Sequence, residues 1–180
     1  LVPLKEKADQ VIPDVPNLEK VIVINRLNED VPMVHGRDFW WEELTKDASI
    51  YCDPEPLEAN EPGIVFYTSG TTGIPKGVVH SGMAFVIQNY IYAKYHMDHH
   101  DEDVLWCTAD VGWLTMHIWG IVGALANGVT TVVYEGAINY PNEHRFYEII
   151  EKYRVNKLFT APTALRMLKS LGPEPLENFD

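Results

Sequence analysis

Ten consecutive residues, Thr68-Ser69-Gly70-Thr71-Thr72-Gly73-Ile74-Pro75-Lys76-Gly77, gather the groups that bind a polyphosphate: four hydroxyls, three glycines and one lysine. Glycines let backbone N–H groups turn toward an anion, hydroxyls add donors, and a lysine adds a mobile positive charge. The spacing is not that of the G-x-x-x-x-G-K-[ST] loop. Read from Gly70, that pattern needs a glycine at Pro75 and a hydroxyl at Gly77. A proline before the lysine also keeps the loop from running straight into a helix. A flexible Ser/Thr/Gly linker is the bland reading of such a composition, and the apolar run Ile64 to Phe66 directly before it argues against a linker.

The charge distribution points to the same place. The 180 residues carry 26 acidic and 14 basic side chains, a formal charge of −12. Such an acidic chain lacks the basic surface that nucleic acid requires, so nucleic acid is excluded as a partner. Yet no Asp or Glu occurs between Glu61 and Asp98, where Lys76 and Lys94 are the formal charges. A buried strand and helix would exclude carboxylates from such a window. So would a site for an anion, because a nearby carboxylate would repel the ligand. No apolar run approaches the roughly 20 residues that span a bilayer, and the start has no signal-peptide pattern, so no membrane partner is expected. Cys52 and Cys107 have neither metal-ligand spacing nor a disulfide framework around them. They read as free thiols of a reducing, cytoplasmic compartment. The cluster His96-Met97-Asp98-His99-His100-Asp101-Glu102-Asp103 has side chains that could hold a metal at helical spacing. A solvated loop before a strand at Val104 is the favoured reading, and no metal site is assigned.

The elements that would position the loop follow from periodicity. Residues 1–61 read as a peripheral segment with one strand, Val21 to Ile24. A short helix is expected within Gly36 to Leu44, and an acidic, proline-rich connector follows from Cys52. Residues 62–180 read as an α/β core. Its strands are expected at Ile64 to Thr68, Val78 to His80, Val104 to Ala109, Thr130 to Tyr134 and Lys157 to Thr160. Its helices are expected from a Ser81 cap to about Met97 with Val86, Ile87, Tyr90 and Ile91 on one side, then over His117 to Asn127, Asn142 to Arg154 and Thr163 to Leu171. Strand and helix alternate with short links, which predicts an open, largely parallel sheet with flanking helices.

Thr68 to Gly77 resembles the signature loop of the adenylate-forming (acyl-CoA synthetase) superfamily, T-S-G-[ST]-T-G-x-P-K-G, with Ile74 in the free position. Three further stretches resemble segments of its acetyl-CoA synthetase branch: Trp106 to Thr115, Glu135 to Pro141, and Phe159 to Arg166. Pro3-Leu4-Lys5 and Gly36-Arg37-Asp38-Phe39-Trp40-Trp41 also fit, so the resemblance covers essentially the whole chain.

The resemblance implies ATP, Mg2+ and coenzyme A as cofactors, with acetate or a similar short carboxylate as substrate. It implies that Thr68, Ser69, Gly70, Thr71, Thr72, Gly73 and Lys76 hold the phosphates of ATP. Thr115 and Asn139 would contact coenzyme A, and Trp113, Leu114 and Thr115 would wall the acyl pocket. Met116 stands where the family usually has glycine, which leaves propionate as a second substrate. The family's adenine-binding segment, ribose-binding aspartate, magnesium-binding glutamate and catalytic lysine all lie downstream of the stretch present in this sequence. The chain is therefore expected to be a central part of the large N-terminal domain, without the C-terminal lid, without a catalytic residue of its own and inactive alone. A homo-oligomer is left open. A stand-alone polyphosphate-binding module without ligase chemistry is the alternative.

Overall fold

A computed structural model describes residues 3–70, 73–177 and 179. It divides into two compact units, one reaching Glu55 and the other starting at Pro56.

In the first unit, helix α1 (Leu4–Val11) is followed by one 3-10 turn (Ile12–Asp14). Strands β1 (Val21–Val23) and β2 (Asp38–Trp40) pair in parallel, and helix α2 (Trp41–Thr45) follows. α1 is absent from the sequence expectation. Its two prolines fall where a helix tolerates them, Pro3 just before the first turn and Pro13 beyond the last. The helix expected within Gly36 to Leu44 is half strand. Phe39 and Trp40 pair with Ile22 and Val23, and the turn begins only at Trp41, with Glu42 and Glu43 near its positive end.

A four-membered ion network joins α1 to β2. Lys5 Nζ lies 2.7 Å from both Asp9 and Asp38, and Arg37 reaches both carboxylates at 2.5 Å. The backbone N–H of Val34 donates to Asp38 at 2.9 Å. The Arg37 guanidinium, with Lys5 and Val34, holds the buried Asp38 carboxyl well below the usual carboxylate range against the upward push of burial. The residues around Lys5 and those of the Gly36-Arg37-Asp38 motif, some thirty positions apart in sequence, thus meet in one network.

In the second unit, β3 (Pro62–Thr68) and β4 (Lys76–Ser81) form an antiparallel hairpin, with Thr68 opposite Lys76. A seven-residue link is too short for a crossover, so the pair can only be antiparallel. The parallel pattern belongs to a separate three-stranded sheet of order β6-β5-β7, made of β5 (Val104–Cys107), β6 (Thr130–Val132) and β7 (Lys157–Phe159). Helix α3 (Gly82–His96) buries Phe85, Asn89 and Ala93, whereas Val86, Ile87, Tyr90 and Ile91 are exposed. Ser81 precedes it without a side-chain cap bond. The expected helix after His117 is a π-helical segment (Met116–Gly123) that runs into one α-turn, α4 (Ala124–Ala126). Helices α5 (Arg145–Tyr153) and α6 (Pro162–Ser170) complete the unit.

Successive residues of β5 face opposite ways. Leu105 packs with Ala124 and Val129 on one face, and Trp106 with Phe146, Ile149 and Leu168 on the other. Burial of each large side chain contributes about 1.5–3 kcal/mol, so this two-sided burial makes β5 the centre of its sheet.

At the amino ends of β5 and β7 the expected solvated loop is in part buried. Asp103 accepts from the His100 N–H at 2.8 Å and from Asn156 Nδ2 at 2.9 Å, and pairs with Lys157 at 3.0 Å. Lys157 Nζ also donates to the carbonyls of Met97 and Asp98. The His99 side chain is fully buried, with neither ring nitrogen hydrogen-bonded. Among the described residues, no three His, Cys, Asp or Glu side chains are grouped to hold a metal ion. Burial, and then the Lys157 ammonium, pushes the His99 ring below its ordinary pKa of 6.5 against the pull of Asp103. The unfolded chain therefore takes up a proton that the folded one resists. Its contribution to stability is full above pH 6.5 and is lost as pH falls below it. The Asp38 and Asp103 carboxyls sit below 3.8, so their contributions are lost only in stronger acid. Denaturant midpoints of His99→Phe should fall less than those of the wild type between about pH 7 and pH 5; equal slopes would contradict a neutral, buried His99.

Candidate functional site

The hairpin carries the glycine- and hydroxyl-rich loop on a fixed base. Ile64, Phe66 and Thr68 of β3 are half-buried, while Val65 and Tyr67 face out. The Phe66 ring sits 5.8 Å from Phe85 of α3, 6.2 Å from His80 of β4 and 5.2 Å from His117 of the π-helical segment. This cluster pins both strands, so the link between Thr68 and Lys76 projects from an ordered edge. Ser69, Gly70, Gly73 and Lys76 are exposed, and Thr71 and Thr72 lie outside the described residues. Gly70 and Gly73 take φ of +52° and +79°, values that any other residue adopts with strain. A Cβ on Gly70 would stand 3.4 Å from the Ile74 carbonyl oxygen and 3.5 Å from Lys76 Cδ. The lysine stem thus lies against the loop. The positive-φ glycines stand near a lysine, with no carboxylate in the flanking sequence from Pro62 to Met97.

A cavity of about 810 Å³ opens at the carboxyl ends of the parallel strands. The chain leaves β5 for β6 on one side and then crosses to β7 on the other. That reversal leaves a crevice at the strand ends, the usual place for a ligand in an open α/β sheet. Buried Trp106, Cys107 and Met116 belong to its apolar wall, and Thr108, Asp110 and Asn139 bring polar groups to it. The Thr108 and Thr160 hydroxyls meet at 2.6 Å and tie the ends of β5 and β7 together. The Asp110 carboxylate accepts the Gly112 N–H at 2.7 Å, and its carbonyl accepts the Trp113 N–H at 3.0 Å, which shapes the turn before the π-helical segment. Burial pushes the Cys107 thiol up, so it stays protonated.

The structure sorts the sequence candidates. Asn139 lines the cavity. Trp113, Leu114 and Thr115 do not; Trp113 is half-exposed, and Thr115 stands at the N-terminus of the π-helical segment, one residue before Met116, which does line it. Thr108, Asp110 and Thr163 also line the cavity without having been singled out. Their signal was available: each lies just past the carboxyl end of a core strand, where the fold class places ligands.

A comparison with protein families matches residues 2–179 to the family described as AMP-binding enzyme. An acetyl-coenzyme A synthetase of Syntrophus aciditrophicus is 47% identical over 175 residues, which is 97% of this chain and 27% of that protein. Acetyl-coenzyme A synthetase 2 of Pseudomonas putida is 44% identical over 177 residues, 98% of this chain and 28% of that protein. Among solved structures, the crystal structure of a Brucella canis acyl-CoA synthetase matches with a TM-score of 0.78 at 27% identity, over 96% of this chain and 30% of that one. The chain spans less than a third of the length of each of these relatives.

Proposed function

The chain belongs to the AMP-binding enzyme family, and on that premise we propose that the protein carrying it ligates a short carboxylic acid to coenzyme A with ATP. Acetate is the first choice of acid and propionate the second. The observation that supports this most is the Thr68–Lys76 turn. It sets positive-φ glycines and a lysine on a pinned hairpin edge, within a stretch of sequence free of carboxylates.

The chemistry has two steps. A carboxylate oxygen attacks the α-phosphorus of ATP, the bond to the bridging oxygen breaks, and pyrophosphate leaves. The thiol sulfur of coenzyme A then attacks the acyl carbon, its proton is released, and AMP leaves. In the first step a weak nucleophile approaches an anion, so the negative charge building on the leaving pyrophosphate must be met by fixed donors. We assign that task to the N–H groups and hydroxyls of Thr68, Ser69, Gly70, Thr71, Thr72 and Gly73, with the ammonium of Lys76. The fit rests on Gly70, whose positive φ and missing Cβ leave its backbone open to a phosphate oxygen with the Lys76 stem alongside. Magnesium, arriving with ATP, adds positive charge on the same phosphates. Thr115 and Asn139 are assigned to coenzyme A, and Trp113, Leu114 and Thr115 to the acyl side, next to a cavity whose apolar wall and polar groups suit a short acyl chain and its thioester.

The test is acetate-dependent exchange of labelled pyrophosphate into ATP by the full-length protein, followed by AMP release on adding coenzyme A. Exchange with acetate or propionate is the expected result. Tight ATP binding with no exchange for either acid would overturn the ligase reading and leave a polyphosphate-binding module.

A further inference from the structure

We infer that Met116 sets the length of the acyl group this protein accepts, by closing the apolar inner end of the cavity at the carboxyl end of β5. The inference rests on the ligase reading above. Of the residues that line the cavity, Trp106, Cys107 and Met116 are almost wholly buried, whereas Asp110 and Asn139 are exposed. An acid entering with its carboxylate toward the polar groups therefore extends its alkyl tail toward those three side chains.

Two of them cannot adjust the depth. The Trp106 ring is held by Phe146 at 5.1 Å and, edge-on, by Tyr134 at 6.3 Å. Cys107 is short and belongs to β5. Met116 is long and in principle mobile, but it is backed. A Cβ on Gly120, one turn further along the π-helical segment, would stand 2.6 Å from Met116 Sδ, 3.1 Å from its Cε and 2.8 Å from Cys107 Cβ. The thioether thus lies on bare backbone at Gly120, with the strand beside it. An acyl tail that reaches Met116 meets a side chain with nowhere to withdraw. Of Trp113, Leu114, Thr115 and Met116, consecutive in sequence, Met116 is the one whose side chain reaches this cavity. Cutting the side chain back to Cβ removes three heavy atoms and joins their space to the cavity.

One added methylene in an apolar pocket changes kcat/KM by about 10-fold or more when the pocket is sized for it. The experiment measures kcat/KM for acetate, propionate and butyrate by pyrophosphate exchange in the full-length wild type, Met116→Ala and Met116→Leu. Wild-type activity should fall from acetate to butyrate. Met116→Ala should raise the butyrate-to-acetate ratio at least about 10-fold with the KM for ATP unchanged, and Met116→Leu, which keeps the volume, should retain the wild-type profile. A parallel loss on all three acids, with the ratio unmoved, would mean that Met116 only packs and would overturn the inference. Met116→Val, a milder truncation, carries the same test through the propionate-to-acetate ratio if the alanine variant does not fold. A wild type inactive on all three acids defeats the ligase reading itself, before any variant is compared.

Discussion

Replacing Lys76 by alanine is expected to slow acetate-dependent adenylate formation about 100- to 1,000-fold, the usual cost of removing one donor aimed at developing charge. The second half-reaction, started from preformed acetyl-adenylate and coenzyme A, should change far less, because pyrophosphate has already gone. The size of the effect follows from the scarcity of positive charge near the loop. In the stretch from Pro62 to Met97 the formal charges are Lys76 and Lys94. Lys94 is no substitute: it sits near the end of α3 and its Nζ donates to the His99 carbonyl at 3.0 Å. Without Lys76 this stretch offers the phosphates only backbone dipoles and hydroxyls. Lys76 is exposed at the start of β4, so the thermal midpoint of the variant should stay close to that of the wild type. Lys76→Arg should recover part of the rate, since the charge returns with a different reach. Equal losses in both half-reactions would remove Lys76 from the phosphate site.

What could be read from the sequence was local. The loop announces itself by glycine, hydroxyl and lysine spacing, and the three parallel strands by short β-branched and apolar runs between helix patterns. What could not be read depends on partners distant in sequence. The hairpin's direction follows from the short link between Thr68 and Lys76, yet the alternating pattern around it suggested one open, largely parallel sheet where the structure has the hairpin and the parallel strands in separate sheets. In α3 nearly every position is apolar or aromatic, so no polar stripe marks the outside. Tertiary packing selected Phe85, Asn89 and Ala93 as the buried face. The His99 burial was hidden by its neighbours, since a run of His, Asp and Glu looks solvated until Lys157 and Asn156 close over it from more than fifty residues away. At the site, the family resemblance drew attention to Trp113, Leu114, Thr115 and Asn139. Of these Asn139 lies on the cavity wall, and the backbone turn at Asp110 and the π-helical start at Met116 add Asp110 and Met116 to it in place of the other three. Likewise Arg37 and Asp38 were visible as a motif, but nothing in it says that Lys5 and Asp9 are the partners.

That network carries the largest expected effect on stability. Asp38→Ala should cost about 3 kcal/mol, the low end for breaking a buried pair from one side. Arg37 donates to the Asp38 carboxylate at 2.5 and 2.9 Å, Val34 N–H donates at 2.9 Å, and Lys5 Nζ pairs with it at 2.7 Å. Truncation leaves two cations and an amide facing a hole in place of their common acceptor. Asp9 cannot make up the loss. It is partly exposed and already engages Lys5 and Arg37, so Asp9→Ala should cost less than Asp38→Ala. Asp38→Asn should fall between, since it keeps the shape and one acceptor but loses the charge that both cations answer. Denaturant unfolding of the full-length protein gives the ordering, and hydrogen exchange gives the location: α1 and β2 should lose protection, while β5 and β7 keep theirs. If Asp38→Ala and Asp9→Ala cost the same, the shared carboxylate is not what joins α1 to β2. Acid offers an independent check with a fixed sign. The Asp38 carboxyl is held well below its ordinary value, so its contribution persists at neutral pH and is lost only as pH drops below the carboxylate range, beneath the window in which His99 acts. Two steps in the acid profile, the lower reduced by Asp38→Asn to the part that Asp103 and Asp9 leave and the upper removed by His99→Phe, would assign each effect to its own residue.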